Sequence, residues 1–372
     1  MPQDNANILS RRAKRYSCIK YSLSILETAY LVALLFIFVG SGLSQTLNEQ
    51  LSRLTGNHYL IAASYLLVIT LTYQLLSFPL DFYSSYALEH KFCLSNQGIG
   101  DWLLDQLKSG IISYLIGLTV LWAFYYILKA SPAYWWLVIS LFWVFFTLIL
   151  ARLAPLIIIP LFFKYKKLSD EGLRQRIMHL AGRMQVKILD VFEIDFSKKT
   201  LKANAAFVGM GKTRRVILAD TLKDKYTPQE IEVILAHEFA HCKLRHLLKL
   251  ILFNALVSLA CFYLIFRTSM YALSLFGLHS LSEVAALPVV IIYFVLFGII
   301  TQPMSNSFSR RLEKNADMLA LEITGDKGVF VAMMNKLANQ NLADRNPHPI
   351  IKFFFFDHPP IDERIALADA KG

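Results

Sequence analysis

Charge is scarce in this chain. Lys, Arg, Asp and Glu together supply 17% of its 372 residues, against 55% hydrophobic residues. That balance excludes an ordinary soluble protein of this length and points to several membrane spans. Cysteine is scarce too. Cys18, Cys93, Cys242 and Cys261 are scattered without paired spacing, which excludes a disulfide scaffold and a thiolate metal site. Cys242 adjoins His241, but the next residue round a helix faces about 100° away, so it reads as a packing residue. The sequence lacks internal repeats and low-complexity tracts. A cleavable signal peptide is not expected, because the first apolar run is too long and about twenty polar and basic residues precede it.

Long apolar runs are what the chain has in quantity. Six stand out: Ser22–Ser44, Tyr59–Phe82, Ser109–Leu128, Ala133–Phe163, Leu247–Phe266 and Val284–Phe308. Each reaches the roughly 18–20 residues needed to cross about 30 Å of hydrocarbon. The fourth is overlong and carries Arg152, Pro155 and Pro160, so its last third should kink or leave the bilayer. Arg11, Arg12, Lys14, Arg15 and Lys20 precede the first run, which by the positive-inside rule puts the N-terminus in the cytoplasm. Six crossings return the C-terminus to that side. Only Arg53 is basic between the first two runs, whereas Lys164, Lys166 and Lys167 follow the fourth and Arg310 and Arg311 the sixth. The net charge of +11 therefore reads as topology and contact with anionic headgroups. No nucleic-acid motif accompanies it.

The expected organisation is a four-span membrane region over 1–163, a cytoplasmic segment over 164–246, two further spans over 247–308 and a second cytoplasmic segment over 309–372. The first cytoplasmic segment opens with an amphipathic helix whose stripe is Leu173, Ile177, Leu180 and Met184. Three strand-like stretches follow, Ile188–Asp195, Ala203–Val208 and Arg215–Ala219, the last two joined by a turn through Gly209 and Gly211. Thr227-Pro228-Gln229-Glu230 then starts a helix with an N-cap, a first-turn proline and a capping-box glutamate. That helix is expected to run on into the fifth span. Phe353–Phe356 reads either as a buried strand or as a segment dipping into the membrane surface. The fold class is thus a mostly α polytopic membrane protein with a cytoplasmic α+β domain carrying a small sheet.

The starting helix carries His237-Glu238-Phe239-Ala240-His241. Two histidines four residues apart project from one face and can grip one metal, with Glu238 beside the open coordination position as a base for water. The bland alternative is a pair of histidines capping or snorkelling at the membrane edge. Zinc needs a third protein ligand and an open fourth position. Leu244 and Leu247 stand where a downstream glycine and third histidine would extend the motif, and His246 falls on the wrong side of a continuous helix. A second helix must therefore supply the ligand. Glu313 is the candidate: if the fifth and sixth spans are antiparallel neighbours, His241 and Glu313 both stand about 10 Å from the membrane edge. Asp317, one helical turn on, suits a bond to a ligand histidine. Glu238 would take the water proton and pass it to the leaving amine. His358, held before Pro359-Pro360, is a candidate second donor to the developing oxyanion.

These residues resemble the type I CAAX prenyl endopeptidases and their bacterial relatives, integral-membrane zinc metalloproteases. The likeness spans roughly Pro79 to Leu367. It includes Glu89 with Asn96, Ala154-Pro155 with Pro160-Leu161-Phe162, Ser197-Lys198-Lys199, and Asn204-Ala205-Ala206-Phe207-Val208-Gly209. Val216 to Leu222, the His237 motif with His246, Ser309-Arg310 with Glu313 and Ala316-Asp317, and His358-Pro359-Pro360 with Glu363-Arg364 complete it. The resemblance implies that His237, His241 and Glu313 hold one zinc ion, Glu238 is the base and Asp317 backs a ligand. It places Asn204 on an edge strand that binds substrate backbone, and His358 and Arg364 near the transition-state oxygen and the hydrogen-bond network. Six spans rather than the seven of the eukaryotic enzymes, with a shorter loop before the metal helix, point to a bacterial inner-membrane relative.

The expected activity is hydrolysis of membrane-associated, in some cases lipidated, peptides or proteins. A quality-control protease of membrane proteins and a non-proteolytic zinc-binding scaffold are the alternatives. A transporter is disfavoured because Glu27 and Asp81 lie near span ends, not at span centres.

Overall fold

The computed structural model describes residues 2–209 and 214–370, with side chains from residue 8 onward. The expected turn through Gly211 lies outside these residues. Helix α1 (Pro2–Gly40) crosses first, and a short α2 (Leu43–Leu54) leads to α3 (His58–Phe82). The Asn57 side chain starts α3 by accepting from the amides of Tyr59 and Leu60. A π turn and α4 (Leu88–Lys91) extend α3. Then come α5 (Ile99–Ala130), α6 (Trp135–Leu153) and, after a second π turn over Ala154–Ile158, α7 (Ile159–Phe162). The kink expected in the fourth span is that second π turn, at Pro155.

The next segment contains β1 (Tyr165–Lys167), α8 (Glu171–Arg183), β2 (Val191–Ile194), β3 (Ala205–Val208), β4 (Arg215–Ala219), α9 (Asp220–Lys223) and α10 (Pro228–Lys243). Helices α11 (His246–Ser274) and α12 (Leu287–Thr324) form the last two spans, followed by α13 (Lys327–Gln340), α14 (Pro349–Phe355) and α15 (Ile361–Ala370). Among the described residues, six helices are long and apolar enough to cross a membrane.

The sheet has the order β1-β2-β4-β3, with β2 parallel to β4 and the outer pairs antiparallel. β3 is therefore an edge strand, paired on one side only. The chain entering it is clamped. Asn341 binds both the amide and the carbonyl of Ala203, at 2.9 and 3.3 Å, and the Leu201 amide donates to the Leu94 carbonyl in the loop after α4 at 2.9 Å. Below the sheet, Leu180, Met184, Leu218, Leu235, Phe239 and Phe330 form a core with essentially no solvent exposure. Replacing a buried phenylalanine such as Phe239 by alanine costs about 3–5 kcal/mol.

Four expectations need correction. The helix carrying His237 and His241 does not run on into the fifth span, because Arg245 adopts a left-handed conformation (φ 54°) that separates α10 from α11. The first two strands are shorter at their starts than their apolar patterns, since Ile188–Asp190 and Ala203-Asn204 pair as loop rather than ladder. Phe353–Phe356 is not a strand: it forms the end of α14, where local hydrogen bonds replace a sheet partner. β1 and α2 had no expected counterpart.

Candidate metal centre

Thr227 and Glu230 form the reciprocal capping box that starts α10, and Pro228 occupies its first turn. From there the 3.6-residue period brings His237 and His241 to one face. Helix α12 packs against that face. Ala236 and Ala240 on α10 and Ala316 and Ala320 on α12 are all fully buried in the core that the two helices share. His237 and His241 each follow one of those alanines, and both imidazoles face Glu313.

His237 Nε2 stands 3.1 Å from Glu313 Oε2, His241 Nε2 stands 3.3 Å from Glu313 Oε1, and the two Nε2 atoms are 3.1 Å apart. A tetrahedral metal with bonds near 2.0 Å has edges of about 3.3 Å. Glu313 Oε2 is buried without a hydrogen-bond donor, as an anionic ligand awaiting a cation would be. The donor set therefore fits a divalent metal, and it is the one such cluster among the described residues.

What stands behind the ligands fixes their orientation. His237 Nδ1 lies 2.8 Å from Asp317 Oδ1. Asp317 has no solvent exposure and receives Arg364 through Nε at 2.7 Å and Nη2 at 2.6 Å. An Nδ1–H donated to Asp317 leaves the Nε2 lone pair of His237 for a metal. Arg364 therefore sits behind Asp317, within the hydrogen-bond network. His241 is backed differently. Its Nδ1 meets His246 Nδ1 at 3.0 Å, and His246 is 1% exposed. A helix continuous from His241 would turn His246 away. The break at Arg245 brings it round.

His358 Nε2 faces Glu313 Oε2 at 3.4 Å, and its Nδ1 lies 2.8 Å from Asp357 Oδ1. Asn204 is exposed, and its carbonyl accepts from the Ala219 amide at the head of β3. β3 in turn packs on α10, with Phe207 and Phe239 ring centres 5.5 Å apart.

The electrostatics divide the two ligand imidazoles. Burial opposes a proton on each. At His237 the adjacent Asp317 and Glu313 carboxylates outweigh burial and raise its pKa to about 9. At His241 burial and the neighbouring His237 charge push the pKa down to about 4. Burial, aided by Glu313, raises the pKa of the Glu238 carboxyl, and Asp357 raises that of His358.

Comparison with known proteins agrees with this geometry. Residues 8–164 match the CAAX prenyl protease N-terminal family, described as five membrane helices, and residues 167–371 match peptidase family M48. Over the first segment this chain has four spans, with the 12-residue α2 as an additional short helix. It is 31% identical over 361 residues to the uncharacterized metalloprotease YhfN of Bacillus subtilis, covering 96% of this chain and 84% of that one. It is 30% identical over 315 residues to CAAX prenyl protease 1 of Saccharomyces cerevisiae, covering 79% and 69% respectively. The crystal structure of S. mikatae Ste24p superposes with a TM-score of 0.88 at 24% identity, covering 97% of this chain and 89% of that one, a likeness of fold. The chain belongs to peptidase family M48, and it is an integral-membrane metalloendopeptidase.

Proposed function

We propose that the metal is a single zinc ion held by His237, His241 and Glu313, and that the enzyme cuts extended segments of membrane-associated, in some cases lipidated, peptides or proteins. We place the reaction at the cytoplasmic rim of a bacterial inner membrane, with both termini in the cytoplasm. The observation that carries this reading is the convergence of two imidazole Nε2 atoms, 3.1 Å apart, on the Glu313 carboxylate, at 3.1 Å from Oε2 and 3.3 Å from Oε1. Two imidazoles and one carboxylate with an open fourth position are a catalytic zinc set. When bound, zinc supplies a Lewis-acid charge that polarises a carbonyl and makes water a stronger acid.

The chain's own residues do the rest. The half-buried Glu238 carboxylate has a raised proton affinity, so it can take a proton from water and give it to the leaving amine. His358, made more basic by Asp357, can donate toward the oxygen that gains charge. Asp317, itself held by Arg364, keeps His237 in the tautomer that offers Nε2. The free edge of β3 can add an extended substrate as one more strand, and Asn204 at its head can hold the substrate's backbone.

Replacing Glu238 by Gln preserves shape and removes the base. Glu238→Gln should retain zinc and lose cleavage of a membrane-peptide library by about 10²–10⁴-fold. Equal cutting by the variant and the parent would refute the assignment. Zinc retention with no chelator-sensitive cleavage by the parent would favour the scaffold reading instead. Cleavage confined to unfolded membrane proteins would favour the quality-control one.

A further inference from the structure

A basic pocket of about 250 Å³ opens where α12 leaves its apolar stretch, and none of His237, His241 and Glu313 lines it. It is lined by Ser307, Arg310, Arg311, Lys314, Lys352 and Glu363. Four cations face one carboxylate, and that carboxylate is already bonded by Lys352. Arg310 is also engaged, donating through Nη1 to the carbonyls of Lys352 and Phe356. Arg311 and Lys314 are exposed, and neither lies within ion-pair distance of a described carboxylate. The pocket thus presents an uncompensated positive charge with spare donors. Guanidinium forks and an ammonium group suit the oxygens of a phosphate.

The height of the pocket relative to the bilayer is marked twice. Asn306, near the end of the sixth apolar run, donates to the Phe354 carbonyl of α14 at 2.6 Å. Tyr21, immediately before the first apolar run, lies 5.6 and 6.0 Å from the rings of Phe355 and Phe356. Two spans therefore place α14 at the same membrane surface. Its Ile350, Phe353 and Phe354 are 62%, 49% and 37% exposed, at a spacing that puts them on one helical face. In water that face would be a liability, whereas at an interface it can insert among acyl chains.

We infer that this pocket binds the phosphate of an anionic phospholipid headgroup, with α14 lying in the interface beside it. The chain runs directly from α14 into Asp357 and His358, and Glu363 in the pocket wall precedes Arg364 on α15. A bound headgroup therefore ties the arm carrying His358 and Arg364 to α12, which carries Glu313. Anionic lipid should hold the C-terminal arm in its working position.

The test uses the full chain, delipidated in neutral detergent and titrated with short-chain phosphatidylglycerol, phosphatidylcholine or inorganic phosphate, with bound ligand counted by native mass spectrometry. Phosphatidylglycerol should be retained, phosphatidylcholine should not, and Arg311→Gln/Lys314→Gln should weaken phosphatidylglycerol binding by tenfold or more, about what two surface cations contribute. Unchanged zinc content and melting temperature in that double variant would show that it is folded. In vesicles, adding phosphatidylglycerol to phosphatidylcholine should stimulate cleavage by the parent and leave the double variant at its basal rate. Equal phosphatidylglycerol binding by parent and variant would overturn the site. Inorganic phosphate that binds as tightly and displaces the lipid would overturn the lipid as its occupant. The binding readout does not depend on proteolysis, so its failure is separable from failure of the proposed function.

Discussion

His237 and His241 differ in what stands behind them. His237 leans on a carboxylate that is itself held by an arginine, whereas His241 leans on a second imidazole, His246. Residues that orient metal ligands typically matter by 10–100-fold in affinity. His246→Ala should therefore weaken zinc binding by about that factor in competition with a chromogenic chelator, and an unchanged affinity would show that the imidazole contact is incidental. The split protonation of the ligand pair also makes a prediction for the metal-free chain. The raised pKa of His237 contributes stability fully present below about 6.5 and lost as pH rises toward about 9. The lowered pKa of His241 contributes stability present above about 6.5 and lost as pH falls toward about 4. Metal-free protein in detergent should melt at its highest temperature near pH 6.5, and a maximum at pH 9 in a pH series would contradict this. At this scale much was legible beforehand. Helical periodicity pairs the two histidines, and counting residues from the membrane edge reaches Glu313. His246 was not legible, because the turn that moves it is made by Arg245 at positive φ. The usual signals for that conformation are glycine and asparagine.

Four alanines of α10 and α12 are buried in the core that the two helices share. Ala240→Leu would force extra methylenes into that core, costing about 1–3 kcal/mol and separating the histidines from Glu313. The expected outcome is a folded protein with lowered zinc occupancy by elemental analysis. Full occupancy together with a lowered melting temperature would place the alanines in packing alone. The legibility of elements follows the strength of their local code. The capping box of α10 and the amphipathic stripe of α8 are written into a few adjacent residues. β1 has three residues, two of them exposed, and exists because β2 offers an edge to pair with. The aromatic run near the C-terminus carries no alternation, and its helical form is settled by contacts with Asn306 and Arg310 on a distant element.

The membrane and catalytic parts are joined by more than chain connectivity. Tyr16 on α1 donates to Glu89, and Glu89 pairs with Lys202 at 2.8 Å, two residues before Asn204. Lys202 is one third exposed, so the pair itself is worth little beyond what removing one partner would strand. Glu89→Ala should lower the melting temperature, and Glu89→Ala/Lys202→Ala should lower it by less than the two single changes combined. Strict additivity in that double-mutant cycle would show that the residues do not communicate. Helix α12 makes the other connection. Its 38 residues form one helix with Pro303 inside it, roughly 57 Å along its length, with apolar residues at one end and the carboxylate we propose as a metal ligand toward the other. Polytopic helices meet a thicker or thinner bilayer by tilting. Tilt of this helix would be carried to Glu313 and would alter its reach toward the two imidazoles. The grip on the ion then becomes a gauge of the host membrane, tightest at the hydrocarbon thickness for which the helix stands at its native angle.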